Sequence, residues 1–109
     1  MLNELFGSET TTKSLIYLAA MGEGYSLEIS STFKISNTQV IRTLTKLEEA
    51  DILVGQVKGR TRVYSFNTQW LLYKELKALL DKVIRNMPIE DQEKYFMRRK
   101  HPRKKNKPE

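Results

Sequence analysis

The chain contains no cysteine. Disulfides, thiolate metal sites and thiol nucleophiles are therefore all excluded, and nothing ties the protein to an oxidising compartment. Histidine is almost absent too: the one His, His101, stands inside a basic stretch. Long apolar runs are missing. The longest, Leu15 to Met21, has seven residues, against roughly 20 for a membrane-spanning helix. The opening Met-Leu-Asn-Glu lacks the basic start and apolar stretch of a secretion signal, so the expected compartment is the cytoplasm, without a membrane. There is no glycine-rich phosphate loop, because Gly22 and Gly24 are isolated. A Ser-His-Asp set cannot be assembled without His101, and Glu48, Glu49 and Asp51 at a helix end read as solvated charges. These absences argue against an enzyme, a metal site and any other cofactor.

What is present fits one domain: 109 residues, with 19 Lys and Arg against 13 Asp and Glu for a net charge of +6. The excess sits at the end. Residues 98–109 carry Arg98, Arg99, Lys100, Arg103, Lys104, Lys105 and Lys107 against Glu109, so residues 1–97 are neutral overall. With two prolines and no apolar side chain, 98–109 reads as a disordered basic tail. It is either a sequence-independent contact to nucleic acid or only solvated chain.

Leu2, Leu5 and Phe6 at helical spacing suggest a short leading turn, broken by Gly7. Ser8 is placed to cap a helix from about Glu9 to Ala20, with Leu15, Leu18 and Ala19 on its apolar stripe. Ser26 is expected to cap a second helix, Leu27 to about Thr32. Ser36 and Gln39 form a capping-box pattern at the start of a third, in which Val40, Leu44 and Leu47 face inward and which ends near Ala50. The period then changes. Ile52 to Val57 and Thr61 to Phe66 are rich in β-branched residues and flank Lys58-Gly59-Arg60, which predicts a β-hairpin. Asn67 or Thr68 is expected to cap a long last helix from about Gln69 to Arg85. Its apolar residues, Leu72, Tyr73, Leu76, Leu79, Leu80, Val83 and Ile84, cover a broader arc than core packing alone needs. Pro88 stops it, and a brief helix is possible over 89–97.

The order helix, helix, helix, hairpin, helix is that of a helix-turn-helix with a wing: a mainly α (α+β) fold with a three-helix core. The run Ile35 to Leu53 resembles the recognition helix of winged helix-turn-helix regulators of the arsenical-resistance-repressor type. Gly59-Arg60-Thr61-Arg62-Val63-Tyr64-Ser65-Phe66-Asn67 resembles their wing, and Leu5-Phe6-Gly7-Ser8 their entry into the first helix. The resemblance covers about residues 2 to 85. It implies a cytoplasmic, DNA-associated, homodimeric transcription regulator, expected to repress by occupying double-stranded DNA. Lys34 and Asp51 stand where that family usually has glycine, so both are expected in left-handed conformations. Metal-sensing members use cysteine pairs or His and carboxylate clusters, which this chain lacks. Whether a small-molecule effector exists is not legible here.

The residues expected at DNA follow from this layout. With the apolar stripe inward, Ser36, Asn37, Thr38, Gln39, Arg42, Thr43 and Lys46 remain on an outward face with amides, hydroxyls and two cations but no acid. Amides and Arg read base edges, whereas an acid would meet phosphate repulsion. An ordinary solvated face would mix both signs. Lys58, Arg60 and Arg62 at the hairpin suit contact with flanking phosphates, or simply charge-protect an edge strand. Leu2, Leu5, Phe6, Trp70, Tyr73, Leu80 and Ile84 are the expected dimer contacts. The chain divides into 1–86 as the winged domain with its dimerisation helix, 87–97 as a short helix, and 98–109 as the tail. The alternative is a winged-helix module that docks on a protein partner and takes loose nucleic-acid affinity from its tail.

Overall fold

The computed structural model describes residues 2–97; the basic stretch 98–109, with His101, lies outside the described residues. A single turn, α1 (Asn3–Phe6), leads through Gly7 at φ 87° into α2 (Glu9–Met21). Ser8 caps α2 as its sequence position suggested: extended at φ −165°, it accepts the Thr11 N–H at 3.0 Å. Next come α3 (Ser26–Phe33) and α4 (Asn37–Glu49). The two-stranded antiparallel sheet follows as β1 (Leu53–Lys58) and β2 (Thr61–Phe66). Then α5 (Tyr73–Arg85) and the short α6 (Ile89–Gln92) lead into a π-helical turn, Glu93–Met97. This is a winged helix-turn-helix.

The core gathers one face from every main element. Tyr17 and Leu18 of α2, Ile29 of α3, Val40 and Leu44 of α4, Leu53 of β1 and Leu80 of α5 are fully buried together. Both ends of α4 close on non-glycine residues in left-handed geometry, Lys34 at φ 57° before it and Asp51 at φ 65° after it. Each allows a six-to-one backbone bond, Ile35 N–H to Ser30 and Ile52 N–H to Leu47, both at 3.0 Å. The helix is therefore held at two fixed points.

Four local expectations need correction. Ser26 does not cap α3; it is the first helical residue, and Tyr25 precedes it without a side-chain cap bond. Only half of the capping box forms: Ser36 accepts the Gln39 N–H at 3.3 Å, but the Gln39 side chain turns to Thr10 Oγ1 at 3.4 Å. Asn67 spends its side chain on a turn, donating to the Asp51 carbonyl at 2.9 Å and accepting the Gln69 N–H at 3.0 Å. α5 consequently starts at Tyr73 rather than Gln69, and with 13 residues it is no longer than α2 or α4.

The wing turn is tight. Lys58 pairs with Thr61, so Gly59 at φ 68° and Arg60 form a two-residue loop of the type that takes Gly first. Midway along its length the wing is tied to the α2–α3 linker, because Gly24 and Tyr64 exchange backbone bonds of 3.0 and 2.8 Å. A Cβ on Gly24 would lie 2.7 Å from the Tyr17 ring, so that approach requires glycine.

Candidate nucleic-acid interface

α4 is amphipathic by construction. Its inner residues Val40 and Leu44 have no exposed surface, so the helix cannot rotate without exposing them. The opposite side presents Ser36, Thr38, Gln39, Arg42 and Lys46 exposed, with Thr43 half-buried. Asn37 is less available than its position in sequence suggests: it is half-buried, and its Oδ1 is buried without a hydrogen-bond partner among the described residues. Ile41 is 46% exposed and Thr45 is exposed beside it. Neither was singled out from the sequence, although their exclusion from the 40–44–47 stripe was the available signal.

One flank of α4 meets the start of α2. Ser8, Thr10, Gln39, Arg42, Thr43 and Lys46 line a shallow groove there. The side chains of Arg42 and Lys46 have no hydrogen bond or ion pair among the described residues. Glu9, at the mouth of α2, is paired with Lys13 at 2.5 Å, and this hydrogen bond holds its carboxyl below the ordinary glutamate range. The groove thus offers hydroxyls, an amide and two unpaired cations.

The wing uses its cations differently. Lys58 reaches Glu23 at 3.2 Å, and Arg62 reaches Glu48, in the last turn of α4, at 2.5 Å. The hydrogen bond to Glu48 pushes the Arg62 guanidinium further up from its ordinary value. Arg62 crosses Gly55 on the way, where a Cβ would lie 2.7 Å from its Nε, and it lies over the Tyr64 ring at 5.8 Å. Arg60 at the tip is exposed with no ion pair among the described residues. Of the three wing cations, Arg60 has no ion pair among the described residues, while Lys58 and Arg62 pair with the α2–α3 linker and with α4.

The proposed dimer residues separate. Leu80 is 0% exposed and Leu2 only 8%, so both belong to the core of their own chain. Ile84 turns toward Phe96 on one edge of α5. Phe6, Trp70 and Tyr73 are half-buried, and Leu5 is exposed. The other edge of α5 carries exposed Leu79, and Leu71 and Leu72 just before the helix are 87% and 50% exposed. There Leu79, Val83, Met87 and Pro88 line an apolar groove with Leu2 beneath. The segment after Pro88 folds back instead of leaving the domain. Phe96 is buried against Tyr17 and Phe33, with ring centroids 6.3 and 6.4 Å away, and Tyr95 lies 4.9 Å from Phe33.

Among the described residues no His, Asp and Glu gather as a metal site, and no helix is long and apolar enough to cross a membrane. No family model matches the chain, and no curated protein matches it. Solved structures do. The adhesin competence repressor AdcR from Streptococcus pyogenes superposes with a TM-score of 0.56 at 14% identity, covering 84% of this chain and 80% of that one. A double mutant of Lactococcus lactis ZitR in apo form gives 0.54 at 19% identity, covering 84% and 78%. These likenesses concern the fold.

Proposed function

We propose that the protein is a sequence-specific DNA-binding transcription regulator that acts as a homodimer and represses by occupancy. The observation that carries this reading is the α4 face: acid-free on its exposed side from Ser36 to Lys46, with Glu48 and Glu49 only at the far end, locked in orientation by Val40 and Leu44, and holding the Arg42 and Lys46 side chains without internal partners. A helix presented this way enters a major groove, where Arg and amides discriminate base edges. Arg60 at the wing tip meets flanking phosphate. The likeness in fold to a protein titled a repressor supports the same reading. So do the sequence motifs shared with regulators of the arsenical-resistance-repressor type, which also suggest a cytoplasmic, DNA-bound location.

In this reading the second copy covers the apolar edge of α5 around Leu79, and exposed Leu5, Leu71 and Leu72 are further candidate contacts, because a small monomer rarely leaves so many large apolar side chains exposed. In this scheme residues 98–109 add cations for any duplex, without choosing sequence. The deciding experiment compares binding to a selected duplex and to random duplex at one salt concentration. A ratio of about 10³ or more is expected. A ratio near one returns the protein to the alternative, a module that docks on a protein partner with loose nucleic-acid affinity. For the dimer, Leu79→Glu is expected to give a folded monomer in sedimentation, and wild type already monomeric at micromolar concentration would overturn it.

A further inference from the structure

The other edge of α5 closes a cavity that plays no part in the reading above. It lies between α2, the C-terminal half of α5 and the returning segment 89–97, is open on its solvent side, and holds about 310 Å³. Ala19 and Ala20 form its floor, and their small side chains leave the space. Met21, Ile84 and Phe96 supply apolar walls.

Three polar residues stand at the rim, and they differ in how occupied they are. Asp81 accepts from Lys77 through both oxygens, at 3.0 and 2.9 Å. Gln92 donates its amide N–H to the Met87 carbonyl at 2.9 Å. The side chain of Arg85, exposed in the last turn of α5, has no hydrogen bond or ion pair among the described residues. The site therefore sets apolar walls beside one exposed, uncommitted planar cation.

We infer that this cavity binds a small amphipathic monocarboxylate, with its carboxylate on the Arg85 guanidinium and its aliphatic body against Met21, Ile84 and Phe96. A guanidinium matches a carboxylate with two parallel hydrogen bonds. The volume is at the low end for ligand sites, which favours a short chain. Asp81 keeps a carboxylate near the rim even though Lys77 pairs with it, and this disfavours dianions such as phosphate.

The position of the cavity gives occupancy a consequence. Phe96 forms one wall and packs on its other side against Tyr17 and Phe33. Phe33 is the last residue of α3, directly before the Lys34 turn into α4. A ligand that displaces Phe96 thus acts on the residues that orient α4. This coupling rests on the regulator reading above; ligand binding itself does not.

The test uses the full chain, isotopically labelled, titrated with hexanoate, with its uncharged analogue hexanamide and with inorganic phosphate. Hexanoate is expected to give saturable amide shifts centred on Ala20, Arg85 and Gln92, hexanamide to bind at least tenfold more weakly, and phosphate to leave these signals unmoved. Arg85→Gln should weaken hexanoate at least tenfold while the rest of the spectrum keeps its folded dispersion, and Arg85→Lys should recover part of the loss. Hexanoate shifts that do not saturate, equal binding of hexanamide, or indifference to Arg85→Gln would each overturn the site. Saturating hexanoate should also change affinity for a selected duplex at least threefold. No change on saturation overturns the coupling alone, whereas a specific-to-random ratio near one, with hexanoate still bound, removes the regulator reading and leaves the site standing.

Discussion

The face of α4 and the wing are both basic and both exposed, but they hold their charges in opposite ways. Arg42 and Lys46 on α4 have no internal partners, and their backbone is anchored in the core through Val40 and Leu44. The wing has three cations, of which Lys58 and Arg62 are engaged with Glu23 and Glu48. Its outer residues Val54 and Val57 are 45% and 62% exposed, and burial holds it only through Leu53, Tyr64 and Phe66 on the inner side. One region is positioned by burial and leaves its charges unpaired. The other is held by its inner side and its backbone tie to Gly24, and pairs two of its three charges with the domain. Counting cations in a sequence therefore overstates what a wing can offer to phosphate.

The largest effect should come from the buried side of this contrast. Leu44→Ala is expected to cost about 2–5 kcal/mol in a denaturant titration, while Val57→Ala in the wing should stay within about 0.5 kcal/mol. Comparable losses would mean that the wing is packed more tightly than its exposure indicates. Next, Arg42→Ala should cost about 1–3 kcal/mol on a selected duplex and relax preference at one base pair. Unchanged affinity and preference would place base reading elsewhere.

Smaller effects separate the wing cations from one another. Arg60→Ala should weaken binding to all sequences alike and reduce the salt slope by about one. Glu48→Gln should do the reverse, releasing Arg62 and steepening the slope. If the two variants leave the slope where it was, the wing does not reach the duplex. The smallest effect concerns Glu9, whose folded-state pKa is lowered by Lys13. Its contribution is present at neutral pH and fades as pH falls through that lowered value. A chemical-shift titration should find Glu9 below the ordinary glutamate value, and Lys13→Ala should return it upward.

Much of α4 was legible because its signals are local. Ser36 marks its start, the 40–44–47 stripe marks its inner side, and Lys34 and Asp51 adopt the left-handed geometry their positions implied. The hairpin was equally plain from two β-branched runs around Gly59. What could not be read depends on encounters between distant segments. Arg62 meets Glu48 fourteen residues away, and no local pattern says which acid a strand cation will find; Gly55 inside a strand was the only hint of a close approach. The arc on α5 was visible, but not which edge of it is covered. Leu2, just ahead of α1, lies along the Leu79 edge and Phe96 from the returning segment along the Ile84 edge, with Leu80 buried and Leu79 36% exposed. Residues 89–97 are too short and too irregular in period to announce that Phe96 completes the core.

The backbone exchange between Gly24 and Tyr64 turns the wing from a swinging arm into a strut. A hairpin joined only through its own strands could pivot to follow a duplex, but this one is bolted at mid-length to the linker between α2 and α3. The separation between α4 and the Arg60 tip is then a fixed length, and DNA advances about 3.4 Å per base pair along each strand. On a duplex the molecule would behave as a ruler. One extra base pair between the groove contact and the flanking phosphate would leave one of the two contacts unmade, because the wing has no swing with which to absorb it.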